Sequence, residues 1–394
     1  MTHIKDRSSK NVRMLFTGYL TGRSHSHICV ELAQHMNSRD LNVELSAPQG
    51  NLEKQGSLNL RWQYSPLVNK LIYRFGGDSK QRELSERAHA RRVKKYDVCY
   101  PWAGFTVNYL ERVRQRGAMI VLELFNSHIN YAADILAPVY ERESQPLPSI
   151  YKHGIEEENR RLELADAVFS PSAFVTKSLL ENGVSADKIM EASYGYSPSR
   201  VLAEAESKSG GKNTVNFLFV GSVGVRKGVP YLLDYWAEAK PENAKLTFVG
   251  EISSDLPEKY RQKLHDDDSV EWVNYTTDIK KYFSEADVFI FPSHEEGGPL
   301  VTYEAMANGL PVLVSKAGAG RAVRDGIDGL VIDIDDKEQW IDAIRRLSSD
   351  SELRESMAAS AHEEAKHYTW TDVAAKRAKL LQEAYGKWKE NISV

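Results

Sequence analysis

Residues 291–320 read FPSHEEGGPLVTYEAMANGLPVLVSKAGAG, and that stretch decides the fold. Just upstream, Asp287–Pro292 is short and continuously apolar, the pattern of a strand covered on both faces. Pro299 follows Gly297 and Gly298 and suits a first helical turn, where its missing N–H costs nothing. A helical stretch, Tyr303–Asn308, comes next, and a second apolar run, Pro311–Ser315, after it. Strand, glycine turn, helix and strand make one βαβ unit, which predicts parallel strands with a right-handed crossover. Open sheets of this kind bind ligands beyond the carboxyl ends of their strands, which is where this turn falls. Gly297 and Gly298 permit unusual backbone geometry and close approach by a ligand. The amides of Leu300, Val301 and Thr302 are expected to point out of the helix start, a ready site for phosphate. Glu296 precedes that start and Glu304 lies about two turns beyond it, so both border one bound molecule. A carboxylate repels phosphate, so the two glutamates are expected to bind hydroxyl groups. Phosphate flanked by hydroxyls is the description of a nucleotide sugar. Two solvated glutamates are the bland alternative, which the joint presence of turn, strand and spacing disfavours.

The same alternation runs outward in both directions. In the first half the strand candidates are Val12–Thr17, Val43–Ala47, Asp97–Pro101, Met119–Phe125 and Ala167–Pro171. In the second they are Val215–Val220, Lys245–Val249, Val270–Asn274, Asp287–Pro292, Pro311–Ser315 and Gly329–Asp333. Helical stretches such as His27–Met36, Pro230–Glu238, Asp278–Ser284 and Glu338–Leu347 fall between them. The break comes at Ser197–Asn213, polar with a Ser-Gly-Gly kernel and no strand of its own. The fold class is therefore α/β, with two Rossmann-like doubly wound domains facing a cleft. The expected division is a first domain over 1–196, a linker over 197–212, a second domain over 213–365 and a C-terminal helix over 366–394. That helix either ends the second domain or crosses back to brace the first, with Thr371 or Asp372 as its cap.

Composition limits the alternatives. The chain has 394 residues, 42% apolar and 27% charged, ordinary for a globular protein and wrong for a collagenous or disordered one. No apolar run approaches the roughly 18 residues needed to span a bilayer. Met1–Met14 is polar and lacks an apolar signal core. The two cysteines, Cys29 and Cys99, sit in apolar segments, so no disulfide framework exists and a reducing cytoplasm is expected. Net charge is −4, too small to suggest nucleic acid as a partner. The first hundred residues nevertheless hold seventeen Lys/Arg against nine Asp/Glu, a balance of +8. A basic half on an acidic chain suggests an anionic partner, with a solvated basic face as the plainer reading. The run Arg82–Lys95 reads the same way: a solvated helix with weak apolar periodicity through Leu84, Ala88 and Val93, or a contact for anionic lipid or a phosphorylated acceptor.

Glu296–Glu304 resembles the E-x7-E motif of the family-four retaining glycosyltransferases, and Glu304-Ala-Met-Ala-x-Gly-x-Pro-Val continues the pattern. The resemblance covers most of the chain. Val220-Gly221-Ser222 followed by Arg226-Lys227-Gly228 is similar to the family's first turn of the nucleotide domain. Ala165–Val168, Ser170–Ser172 and Tyr194-Gly195 resemble the end of its acceptor domain. Ser127-His128 matches a cleft histidine, and Gly22 and His27 stand where the family has an acceptor loop. The resemblance implies the two-Rossmann fold called GT-B. It implies transfer of a sugar, of hexosyl type, from a nucleoside diphosphate to a hydroxyl of a glycan or lipid-linked acceptor, with retention. Gly221, Ser222, Gly297, Gly298, Leu300, Val301 and Glu304 are then the donor-binding residues. Three positions depart from the family: Ser222 stands where Arg is common, Pro299 replaces a Gly, and Arg321 replaces a Glu, which leaves the donor sugar open.

Arg226 and Lys227 lie in a strand-to-helix turn with Gly224 and Gly228. Cleaving a sugar–diphosphate bond leaves negative charge on the departing nucleotide, and a bidentate Arg with a point-charge Lys stabilises it most in the transition state. His128, at the carboxyl edge of its strand, is expected to hydrogen-bond a donor-sugar hydroxyl or steady the transition state. Catalysis is thus assigned to Arg226, Lys227, Glu296 and His128. Asp333-x-Asp335 mimics a metal-binding pair but precedes a helix and reads as its cap. With no Cys/His cluster, no obligatory metal or other cofactor is expected. Three rival classes remain. A nicotinamide oxidoreductase lacks its G-x-G-x-x-G fingerprint, since Gly18 to Gly22 and Gly221 to Gly224 have the wrong spacing. A sugar-nucleotide epimerase differs in needing no acceptor. A non-catalytic sugar-nucleotide binder would leave the donor intact. The expected location is cytoplasmic, with peripheral placement at the inner face of the membrane through the basic half. Specificity for donor and acceptor is expected in loops such as Gly50–Gly77 and Tyr131–His153.

Overall fold

The computed structural model describes residues 9–22, 25–52, 57–102, 104–202 and 214–392. The first sheet has seven parallel strands: β1 (Lys10–Phe16), β2 (Leu41–Ala47), β3 (Leu60–Trp62), β4 (Val98–Trp102), β5 (Met119–Glu123), β6 (Ala167–Ser170) and β7 (Ile189–Glu191). Their order is β3-β2-β1-β4-β5-β6-β7. The second sheet has six: β8 (Val215–Val220), β9 (Ala244–Val249), β10 (Val270–Val273), β11 (Val288–Phe291), β12 (Val312–Ser315) and β13 (Gly329–Ile332), ordered β10-β9-β8-β11-β12-β13. Both orders reverse beside their first strand, and the crevice at such a reversal is where a doubly wound sheet takes its ligand. The strands β4, β5, β6, β11 and β12 are buried at every position, as the unbroken apolar runs require of strands covered by helices on both faces. The fold is GT-B.

The C-terminal helix Trp370–Asn391 crosses back to the first domain. Its Trp370, Val373, Ala374, Leu381 and Tyr385 share a core with β1, β2 and β4. Its cap is Thr369, which accepts from the amide of Asp372; Thr371 and Asp372, expected to cap, are already inside the helix. Arg377 anchors the crossing. It is fully buried and donates to Glu123 at 2.8 and 3.1 Å and to the carbonyls of Ala192 and Ser193. A buried pair satisfied this fully is stable; removing one partner would strand the other charge. The two crossings between domains run side by side, since the Tyr196 amide donates to the Tyr368 carbonyl. A Cβ on Gly195 would lie 2.9 Å from the Trp370 nitrogen, so only glycine lets them touch.

Several expectations need correction. The edge strands β3 and β7 have three residues each and fell below any periodic signal. The stretch 50–77, read as a loop, becomes helical at Pro66, because Ser65 caps a helix Pro66–Arg92. The stretch 131–153 lies mostly in the helices Ile129–Arg142 and Ile150–His153. Helix Pro66–Arg92 buries Gln81, Ser85, Glu86 and His89 rather than Leu84 and Ala88, because its inner face is bonded by polar contacts. These run from Ser85 to Gln63, Glu86 to Thr106 and His89 to Tyr109. Of the linker expected over 197–212, the part from 203 onward lies outside the described residues.

Candidate active site

Two loops of the second domain meet at the crevice beside β8. One joins β8 to helix Val229–Ala239 and carries Arg226 and Lys227; the other joins β11 to helix Leu300–Ala307 and carries Glu295 and Glu296. Gly228 has φ 72°, and a Cβ there would lie 1.9 Å from the carbonyl oxygen of Pro292. Only glycine permits that left-handed, backbone-to-backbone contact. It seats the basic pair on the acidic one. Arg226 Nη1 donates to the Glu295 carbonyl at 2.9 Å and to Glu295 Oε2 at 3.0 Å. Lys227 Nζ is ion-paired with Glu296 Oε1, which also accepts from Ser293 Oγ at 2.8 Å. Ser293 is held in turn by Ser315. Glu296 is buried, which alone would raise its pKa, but the Lys227 and Arg226 cations hold the carboxyl below its ordinary value.

The first domain closes onto this cluster. Glu295 Oε1 accepts from both the amide and the hydroxyl of Ser127, each at 2.9 Å. A Cβ on Gly297 would lie 1.5 Å from the carbonyl oxygen of Phe125, and one on Gly298 would lie 2.6 Å from the Tyr194 ring. Leu300 packs against the first domain's core. The glycine pair therefore admits the partner domain, where the sequence suggested a ligand. His25 rests on Phe125 with ring centroids 4.7 Å apart; burial, and then Arg226 across the cleft, lower its pKa. Tyr151 also faces the cluster, its hydroxyl pushed up to about 12 by burial and by Glu295. His25, Ser127, Tyr151, Ser293 and Glu295 were not singled out from the sequence. For Glu295 and Ser293 the signal was their place in the stretch that carries Glu296, and for Ser127 its place before His128; His25 and Tyr151 come from distant segments and gave none.

Two of the cavities near the cluster bear on ligand binding. One, of about 700 Å³, lies beyond the carboxyl ends of β8, β9 and β10, lined among others by Arg200, Gly221, Ser222, Gly250, Thr276 and Val301. Arg200, on its wall, has Nε 2.8 Å from Oε1 of Glu304, whose buried Oε2 has no partner among the described residues. Burial raises the Glu304 carboxyl to about 7, with Arg200 opposing. The other cavity, of about 270 Å³, lies in the first domain between His25, Ser127, Tyr151, Glu158 and Arg161. Glu158 is also raised to about 7 by burial.

Some expected site residues stand elsewhere. His128 caps helix Ile129–Arg142: its Nδ1 accepts from the Asn130 amide at 3.2 Å and its Nε2 lies 2.8 Å from Asn159 Oδ1. Both ring nitrogens are thus engaged within the first domain, and burial lowers its pKa. His27 faces the interdomain crossing instead of the cleft, with Nε2 2.8 Å from Ser197 Oγ and its ring edge-on to Trp370. Gly22, at φ 70°, lies against Leu52. Arg321 binds Thr176, Ser172 and Glu191, latching the domains together. Asp333 pairs with Lys316, and the helix after it is capped by Asp336, correcting the cap expected at Asp333 or Asp335. Among the described residues no group of three or more His, Cys, Asp or Glu is placed to hold a metal ion. No helix among them is long and apolar enough to cross a membrane.

Residues 214–350 match the family model described as Glycosyl transferases group 1. The second domain is a group 1 glycosyltransferase domain. The chain is 31% identical over 116 residues to a D-inositol 3-phosphate glycosyltransferase of a Nocardioides species, covering 29% of this chain and 25% of that protein. The curated relatives it matches are spanned over between a quarter and less than half of their length. Two solved structures share its GT-B architecture over nearly their whole length. Sucrose-phosphate synthase from Thermosynechococcus elongatus has a TM-score of 0.67 at 17% identity, over 96% of this chain and 100% of that one. The Anabaena protein HepE, in complex with UDP and glucose, has 0.65 at 15% identity, over 94% and 99%. At such identities the likeness concerns the fold.

Proposed function

We propose that the chain is a retaining glycosyltransferase. It would move a sugar from a nucleoside-diphosphate sugar to a hydroxyl of a glycan or lipid-linked acceptor, in polysaccharide or glycolipid synthesis. The observation that carries this reading is the meeting of Arg226, Lys227 and Glu296 with first-domain groups at the carboxyl edges of both sheets. The cavity along Gly221, Ser222 and Val301 takes the nucleotide, with Glu304 at its ribose. A UDP-sugar is the favoured donor, in keeping with the UDP bound by the HepE neighbour. The cavity at His25, Tyr151 and Glu158 takes the acceptor.

In the free protein Lys227 and Arg226 are neutralised by Glu296 and Glu295. An arriving diphosphate would take over the two cations and release Glu296 to bind sugar hydroxyls. Charge on the departing diphosphate grows in the transition state, so the cations stabilise that state more than the bound donor. Glu296 touches Lys227 and so stands on the leaving-group side. A nucleophile for double displacement must attack the opposite face of the ring. That favours front-face attack, in which the leaving diphosphate takes the proton of the acceptor hydroxyl. The two cations do the electrostatic work of a metal ion, so activity is expected to survive EDTA.

A thermal-shift panel of UDP-, GDP- and ADP-sugars tests the donor, since saturation at a hundred times Kd stabilises by about 2.7 kcal/mol. No shift with any of them would remove the donor from the cavity. Turnover of the stabilising donor without acceptor, giving an epimerised sugar nucleotide, would replace transferase by epimerase. Rescue by manganese or magnesium after EDTA would show that metal ligands were overlooked.

A further inference from the structure

Helix Pro66–Arg92 is two arms joined at Gly77, whose φ of 62° and ψ of −165° fall in a region that only glycine readily enters. The second arm is bound down through Glu86 and His89. The first, Pro66–Gly76, buries one side chain only, that of Asn69, which accepts from Gln81 Nε2 at 2.6 Å. Apart from the half-buried Ile72, its apolar residues point the other way. Leu67 is 77% exposed, Leu71 53% and Phe75 81%, and at spacings of four they share one face, with exposed Val68 beside them. A helix of a globular protein turns that face to the core. An isolated helix this short is marginal in water, so packing against a partner would be its main support. A contiguous apolar face left in water is the mark of an interaction surface.

The charges beside the face select the partner. Lys70 and Arg74 flank it, and Pro66–Gly76 contains no carboxylate. On the second arm Asp78 follows and Lys80 and Arg87 pair with Glu83, while Arg82 and Arg91 add further positive charge. A second copy of the chain would bring the same cations against one another across a two-fold axis. An anionic bilayer offers apolar depth for Leu67, Leu71 and Phe75, and negative headgroups for Lys70 and Arg74. We propose that the helix Pro66–Phe75 is a membrane-docking face that lies in the interface of an anionic lipid bilayer. Arg82 donates to the carbonyl of Gly104, which lines the first-domain cavity, so docking holds that cavity beside the lipid surface. The binding proposal stands on this surface alone and does not depend on the reaction catalysed.

The test is flotation of the full chain with phosphatidylcholine vesicles, with and without phosphatidylglycerol. The wild type is expected to float with the anionic vesicles and to bind the neutral ones at least tenfold more weakly. Leu71→Glu with Phe75→Glu should lower binding to anionic vesicles at least tenfold, and Lys70→Gln with Arg74→Gln should remove most of the preference between the two. These positions are exposed, and an unchanged Tm checks that the variants fold. A polarity-sensitive dye on Phe75→Cys gives an independent readout, since Cys29 and Cys99 are buried; its emission should shift to the blue on adding anionic vesicles. No flotation of the wild type, equal flotation of the Glu variant, or an unshifted dye overturns the proposal. So does a wild-type dimer in sedimentation velocity that Phe75→Glu dissolves, because the face would then belong to a second copy.

Discussion

Glu296 and Glu304 stand eight residues apart, on a loop and on the helix it opens, and the fold treats them in opposite ways. Glu296 is surrounded by Lys227, Arg226 and Ser293, so it is held ionised despite its burial. Among the described residues Glu304 has one partner, Arg200, and a second oxygen with none, so burial lifts its carboxyl to about 7. The difference is one of completeness. The Glu296 end is already neutralised by its own protein, and a ligand must exchange partners with it. The Glu304 end is left unsatisfied, and a ligand with hydroxyl donors completes it. An unsatisfied buried acceptor costs about 1–3 kcal/mol, which a bound ribose would return as affinity.

The largest effect expected is at the completed end. Lys227→Ala removes the cation that meets the growing charge of the diphosphate, and loss of one such contact costs on the order of 100-fold or more in rate. Glu296→Gln should also lower turnover at saturating donor, since its partners act at the reacting centre. Near wild-type turnover of Lys227→Ala would take this end of the loop out of the chemistry.

The next test concerns stability, and its sign follows from the raised carboxyl at the other end. Glu304 ionises at about 7 in the folded protein against an ordinary value of 4.5. Its contribution to stability is present below about 4.5 and is lost as pH rises through about 7. Glu304→Gln, which carries no charge to desolvate, should therefore be more stable than wild type at pH 8, by at most ~3 kcal/mol, and gain almost nothing at pH 4. Urea unfolding of both proteins at the two pH values measures this. Equal stability at pH 8 would mean that Arg200 fully compensates the buried charge.

How much of this was legible beforehand divides along the same line. The strands β8 to β13 stand within a residue of where the apolar runs put them at either end, because a strand buried on both faces advertises itself by composition alone. Arg226, Lys227, Glu296 and Glu304 were likewise legible, since glycine turns and spacing fix them within one domain. What was hidden depends on the other domain. Nothing local announces that Gly297 faces the Phe125 carbonyl, that Ser127 caps Glu295, or that His128 spends both nitrogens on its own helix and Asn159. Helix Pro66–Phe75 was hidden for a related reason: its apolar face turns to solvent, so the rule that pairs apolar periodicity with the core gives no warning.

Donor binding separates the two glutamates more finely. Glu304→Gln keeps an acceptor oxygen but loses the charge, so donor affinity should fall by roughly 1.5–3 kcal/mol, the range for hydrogen bonds to charged groups. Turnover at saturating donor should fall less, because ribose contacts change little between ground and transition state. Titration calorimetry with donor, beside saturation kinetics, gives both quantities for both variants. Swapped profiles, with Glu296→Gln losing affinity and Glu304→Gln losing turnover, would reverse the donor along the cleft.

The smallest effect is also the most specific, because it needs no mutation to appear. If the donor binds ionised Glu304, the proton that the free protein holds with a pKa of about 7 must leave on binding. Donor affinity should then be level above pH 8 and fall by roughly tenfold for each unit of pH below 7. A nucleoside-diphosphate sugar is esterified at both ends of its diphosphate and does not itself titrate in this window. Glu158, also raised to about 7, lies in the first-domain cavity, so its titration should appear with acceptor more than with donor. Glu304→Gln separates the two carboxyls: its donor affinity should be weak and nearly flat from pH 6 to pH 8. A flat wild-type profile would mean that the donor does not engage the Glu304 carboxylate. A Glu304→Gln profile that keeps the wild-type slope would move the titrating group elsewhere, with Glu158 the first to examine.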